Sequence, residues 1–146
     1  MANSFPIALS IARDLALTLN GDLVLGPDGD LDTVTGEEAL LQEVIVRLKT
    51  KKGDARYAKS MGASLDTMIG QPLSPQTGVA LERLVMGALT HDGLFTEDSV
   101  SVIASPDSDT TIVLQITCSM ARFGDAESGE ILSVEVTFDL QEGLLL

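Results

Sequence analysis

The sequence predicts an α+β fold: two main helices packed on a three-stranded antiparallel sheet, preceded by a short N-terminal β meander. Three observations predict it. Apolar residues recur at helical spacing in two stretches, at Leu40, Leu41, Val44, Ile45 and Leu48 and again at Leu81, Leu84, Val85, Ala88 and Leu89. They alternate strictly in two later stretches, at Ile112, Leu114, Ile116, Cys118 and Met120 and at Val134, Val136, Phe138 and Leu140. Near the N-terminus, Asn20-Gly21 and Pro27-Asp28-Gly29 punctuate an alternating run of leucines.

In chain order, Leu15, Leu17 and Leu19 lead into the Asn20-Gly21 turn, Leu23 and Leu25 follow it, and Leu31 to Val34 resume after the second turn. The first helix starts near Gly36, where Thr35 and Glu38 have the spacing of a capping box, and ends near Thr50, ahead of Gly53. Residues 51–63 form a polar connection. A short helical turn covers Ser64 to Ile69, and Gly70-Gln71-Pro72 breaks it. Ser74-Pro75 reads as a cap followed by proline at the first helical position, and Gly93 terminates this second helix. Three strands follow, near Val100–Ala104, Ile112–Met120 and Val134–Leu140. Turns at Pro106–Asp109 and Gly124–Gly129 join them into a meander with one face buried. No linker interrupts the pattern, so residues 1–146 read as one domain, with residues 1–13 an arm, flexible or partner-bound.

Composition limits what this domain can do. A chain of 146 residues with 45% hydrophobic residues can build a core, but only 3% are aromatic and none is Trp. Surfaces that stack sugars or bases use aromatic faces. A net charge of -13 disfavours nucleic acid and anionic membranes. No signal peptide is read at the N-terminus, and no apolar run is long enough to span a membrane. The charge is uneven: Arg47, Lys49, Lys51, Lys52, Arg56 and Lys59 are six of the nine basic residues, set within thirteen positions and opposed only by Asp54. This basic knot reads either as a solvated helix end complementing the helix dipole or as a docking site for a carboxylate-bearing partner.

No catalytic, cofactor or metal constellation stands out. Asp28, Asp30 and Asp32 occupy the first, third and fifth places of a calcium loop, but Thr33 and Ala39 fill the sixth and twelfth, so they read as turn aspartates. His91, the only histidine, reads as a helix-end residue beside Asp92, and Cys118 as a small core residue. A glycosidase needs two carboxylates flanking a sugar. With 22 acidic residues and no aromatic platform, the sequence singles out no such pair, and that class stays as the enzymatic alternative. A generic acidic interaction module is the other alternative.

One resemblance covers residues 14–140. Gly21-Asp22-Leu23 and Gly29-Asp30-Leu31, Thr35-Gly36-Glu37 at a helix start, Gln42 and Arg47-Leu48-Lys49-Thr50 follow one another in a distinctive order. Lys52-Gly53-Asp54-Ala55-Arg56-Tyr57, Gly62 with Leu65, the second helix with Leu81, Leu84 and Ala88-Leu89, and the terminal meander continue it. This order resembles the small baseplate wedge proteins of contractile phage tails, also called lysozyme-like. Their relatives belong to type VI secretion and other contractile injection systems. The family's signature loop runs Glu-Pro-Arg, and Asp54-Ala55-Arg56 keeps the acid and the arginine without the proline. The resemblance implies a structural, non-enzymatic subunit without cofactors. It implies many copies in a ring-shaped tail baseplate assembled in the host cytoplasm, joining other wedge subunits to the first ring of the tail sheath. On this reading Arg47, Lys49, Lys51, Lys52, Asp54, Arg56 and Lys59 dock on wedge neighbours, with Arg56 as anchor. The strand holding Val134, Val136 and Phe138, or the adjacent edge, accepts sheath strands by strand addition.

Overall fold

A computed structural model describes residues 13–120 and 131–145. The expected arm falls almost wholly, and the Gly124–Gly129 turn wholly, outside these residues. The chain groups into two compact units, one formed by residues up to Glu43 together with Ser119–Leu132, the other by Val44–Cys118 and the chain from Ser133 onward.

In the first unit, β1 (Arg13–Leu15) pairs antiparallel with β2 (Thr33–Thr35), in register Asp14↔Val34. Between them the chain makes only isolated bridges, Leu17↔Leu23 and Leu25↔Leu31. The expected meander is therefore corrected to a two-stranded sheet with bridged turns. The reason is burial: Leu15, Leu19, Leu23, Leu25 and Leu31 are 41–67% exposed, so the alternating leucines have no packed face to sustain a longer ladder. Tight local bonds hold the turns instead. The Asp22 amide donates to the Thr18 hydroxyl, and the Asp30 amide to Asp28 Oδ1. Gln42 of the first helix braces β1: its Oε1 accepts from the Leu17 amide at 2.9 Å and its Nε2 donates to the Leu15 carbonyl at 2.8 Å.

Helix α1 (Gly36–Lys49) has Glu37 and Glu38 in its first turn and Arg47 and Lys49 in its last, the charge order that suits the helix dipole. Gly36 sits at φ 62°, which lets the chain pass directly from β2 into the helix. Helix α2 (Pro75–Thr90) starts as the sequence indicates. The Ser74 hydroxyl accepts from the Thr77 amide, and Pro75 takes the first helical position. A 3-10 turn at Leu65–Met68 stands where a helical turn is expected.

The second sheet differs from expectation. It has four strands, not three, in the order β3 (Val100–Pro106), β4 (Thr111–Ser119), β5 (Ile131–Asp139) and β6 (Gly143–Leu145). The fold is still α+β, but its sheets are a two-stranded and a four-stranded one. The added strand arises because Asp139 Oδ1 accepts from the amides of both Gln141 and Glu142, closing a tight turn that sends Gly143–Leu145 back along β5. Leu81, Val85 and Leu89 of α2, Leu114, Ile116 and Cys118 of β4, and Val136 and Phe138 of β5 are buried core residues of the second unit. Fully burying one such apolar side chain contributes about 1.5–3 kcal/mol.

Candidate functional site

The basic knot separates into two environments. Arg47, in the last turn of α1, is 4% exposed. Its guanidinium forks onto Asp92, with Nη1 at 2.9 Å from Oδ1 and Nη2 at 2.6 Å from Oδ2, and Nη1 also donates to the Ala88 carbonyl at 3.1 Å. This is a planar fork on a carboxylate combined with a capped α2 carbonyl, a geometry only arginine supplies. The Arg47 hydrogen bonds hold the Asp92 carboxyl at about 2, below its ordinary 3.8, against the opposing effect of burial. Arg47 therefore ties α1 to the end of α2 and presents no charge to a partner. His91 caps that same helix end, its Nδ1 3.2 Å from the Ala88 carbonyl oxygen.

Beyond α1 the chain leaves and returns as a loop stapled at its base. The Ala63 amide donates to the Arg47 carbonyl at 3.0 Å and the Ser64 amide to the Thr50 carbonyl at 3.2 Å, so the returning strand satisfies carbonyls at the helix end. The Lys52 amide donates to the Ser64 hydroxyl at 2.8 Å. Higher up, Gly53 N–H meets the Lys59 carbonyl at 2.9 Å, and Asp54 N–H meets that of Lys51 at 3.1 Å. Gly62 makes the base possible: its φ is 114°, and a Cβ there would collide with the Thr50 carbonyl. This loop carries no regular secondary structure, yet each arm is tied to the other, as in an Ω-loop.

Its projecting residues are Lys51, Lys52, Asp54, Arg56, Tyr57 and Lys59, all exposed. Lys51 reaches Asp66 at 3.5 Å across an open surface, a pair of small energetic weight. Asp54 and Arg56 make no ion pair with each other, and Arg56 has no side-chain partner among the described residues. Lys49 is exposed at the end of α1, below the loop. Tyr57, at the tip, is 97% exposed. Arg56 is among the residues expected at the site from sequence, and Tyr57 is an addition from the structure. The available signal was a lone tyrosine beside an arginine in a chain almost without aromatics.

The remaining candidates lie elsewhere. Val134, Val136 and Phe138 are buried core side chains of β5. These side chains are closed to a partner, and β5 lies between β4 and β6, so its backbone is open only where β6 does not reach. β6 pairs with Thr137–Asp139 alone, and among the described residues no strand lies on that side of residues 133–135. The oxygens of Asp28, Asp30 and Asp32 accept from nearby backbone amides. Cys118 is fully buried, and burial pushes its thiol up to about 11, which keeps it protonated. Among the described residues no cluster has the makings of a metal site, and no helix is long and apolar enough to cross a membrane.

No family model matches the chain, and no curated protein does. Solved structures do. The chain is similar to a so-called tail lysozyme from Geobacter sulfurreducens, with a TM-score of 0.56 and 18% identity over 83% of this chain and 98% of that one. It is also similar to a chain of the anti-feeding prophage (AFP) baseplate, with a TM-score of 0.53 and 15% identity over 91% of this chain and 90% of that one. The chain thus shares its fold with a tail lysozyme-like protein and with a chain of the AFP baseplate.

Proposed function

We propose that this chain is a non-enzymatic structural subunit of a contractile tail or injection-system baseplate, present in several copies. In this role it joins neighbouring wedge subunits to the first ring of the sheath. The observation that carries this reading is the stapled loop, which holds Arg56 and Tyr57 outward with no role in the chain's own packing. Arginine and tyrosine are the residues that most often anchor protein interfaces, because each buries a large surface at a small entropic cost. A pre-tied loop lowers that cost further. The similarity to a baseplate chain over most of both lengths supports the setting. The five exposed leucines of the first unit also suit a chain that is buried in an assembly. A sheath strand would add at the margin of β5 beyond the end of β6, through backbone rather than through Val134, Val136 or Phe138.

The test is assembly. Arg56→Ala should fold normally and fail to enter assembled particles, and normal incorporation would remove the loop as the anchor. The non-enzymatic half of the reading is tested with the purified protein, which should leave peptidoglycan intact from acid to neutral pH. Asp92, held ionised by Arg47, is not poised to act as a general acid. Turnover that copurifies with the chain and disappears on a single Asp or Glu substitution would overturn it.

A further inference from the structure

Strand β3 is the first strand of its sheet, so one of its margins faces away from β4. The Ala104 amide is on that margin: it donates to Glu82 Oε1 of α2 at 2.9 Å instead of to the ladder. In an antiparallel pair, successive residues direct their N–H and C=O alternately to the partner and away from it. Val102 and Pro106, two residues to either side, therefore share the outward side with Ala104. Pro106 has no N–H to offer, and the N–H of Ala104 is taken. By the same alternation Val100 is outward too, so of these four positions only Val100 and Val102, toward the start of the strand, keep a donor.

The margin would otherwise invite pairing. It is beside an apolar groove of about 430 Å³ whose walls include Leu73, Pro75 and Val79, with Glu82, Ala104 and Pro106 also lining it. A strand edge with free donors and an apolar border is a template for a second strand. Helix α2 passes close by, which brings Glu82 within reach of this margin: a Cβ on Gly78 would stand 3.6 Å from that of Ala104.

We propose that Glu82 and Pro106 close the β3 margin against strand pairing with a second copy of this chain. Glu82 accepts the one amide that pairing at Ala104 would require, and Pro106 leaves the next outward position without a donor. Strand addition is then left to the opposite margin of the sheet. That last consequence rests on the baseplate reading. The closure of β3 does not, and it is tested on the isolated chain, so either can fail without the other.

The experiment combines Glu82→Ala with Pro106→Val, which frees the Ala104 amide and restores a donor at position 106. In this double variant the Ala104 amide should exchange with deuterium about tenfold faster or more, the factor that a hydrogen bond to a charged group is worth. Sedimentation velocity should show self-association that grows with concentration and is absent from the wild type. Adding Ala104→Pro removes the donor again without touching the β4 ladder, and should return the wild-type sedimentation. Glu82→Gln keeps an accepting oxygen and should sediment as wild type. Unchanged sedimentation of the double variant, with or without faster exchange, would overturn the proposal. If the double variant does not fold, wild-type exchange decides: Ala104 should exchange more slowly than Val102, and equal rates would contradict the closed margin.

Discussion

Arg47 and Arg56 are nine residues apart in one basic stretch, and the structure gives them opposite surroundings. Arg47 is buried, with its fork filled by Asp92 and the Ala88 carbonyl. Arg56 projects from a loop whose own backbone bonds leave its side chain nothing to hold. The difference teaches that a run of like charges need not act as one surface. Its members divide according to what the chain brings back to them, and only those left unmet can serve a partner. On this account Arg47 belongs to folding and Arg56 to binding, and the two substitutions should fail in different assays.

The largest stability effect belongs to Arg47. Arg47→Ala removes the fork onto Asp92 and leaves the Ala88 carbonyl without that donor. Breaking a buried pair by deleting one partner costs about 3–5 kcal/mol. Asp92 is 42% exposed on its side chain and can take up water, so we expect about 2–3 kcal/mol. For a chain of this length that lowers Tm by about 4–12 °C. Arg47→Lys should recover only part of the loss, because an ammonium cannot fill both carboxylate oxygens at once. A Tm within about 1 °C of wild type for Arg47→Ala would remove the division between the two arginines.

A smaller effect should appear in acid. The Asp92 carboxyl is at about 2 in the folded chain and at an ordinary 3.8 otherwise, so the unfolded chain binds that proton more tightly. Its contribution to stability is therefore complete above about pH 4 and lost as the pH falls through about 2. Urea midpoints of wild type and Asp92→Asn should differ near neutrality and converge across that window. A gap that stays constant with pH would show that the pair is not the source.

These surroundings explain which parts of the fold were legible. The alternation at Ile112, Leu114, Ile116 and Cys118 marks a buried strand face, and the structure buries those residues. The same alternation at Leu15, Leu23, Leu25 and Leu31 marks a face that remains exposed, since a period of two fixes which side chains share a face and not whether anything covers it. Both helices start where expected because Gly36, Ser74 and Pro75 are local signals, readable without tertiary structure, while α2 ends at Thr90, three residues short of Gly93. Strand β6 was not legible: Leu144 and Leu145 show no alternation, and the turn that returns them depends on Asp139 reaching two amides. Nor could sequence divide the basic knot, because the partner that claims Arg47 is 45 residues away. Tyr57 had only its rarity and its place beside Arg56 to mark it, and its exposure is set by the loop.

The smallest expected effect is none. Calcium at millimolar concentration should raise Tm no more than magnesium does, because the Asp28, Asp30 and Asp32 carboxylates are engaged with turn amides in a loop that lacks the glycine and glutamate of a calcium site. A calcium-specific rise would mean that the folded state binds the ion.

If the loop serves binding and not folding, one paired measurement separates the two. Arg56→Ala/Tyr57→Ala is melted beside wild type and titrated against an isolated neighbouring subunit of the proposed baseplate at low and physiological salt. The expected result is a Tm within about 1 °C of wild type and affinity weakened about 30-fold or more, the consequence of losing anchors worth at least about 2 kcal/mol. Unchanged affinity, or a loss matched by unfolding, would contradict it and leave the loop as a solvated helix end.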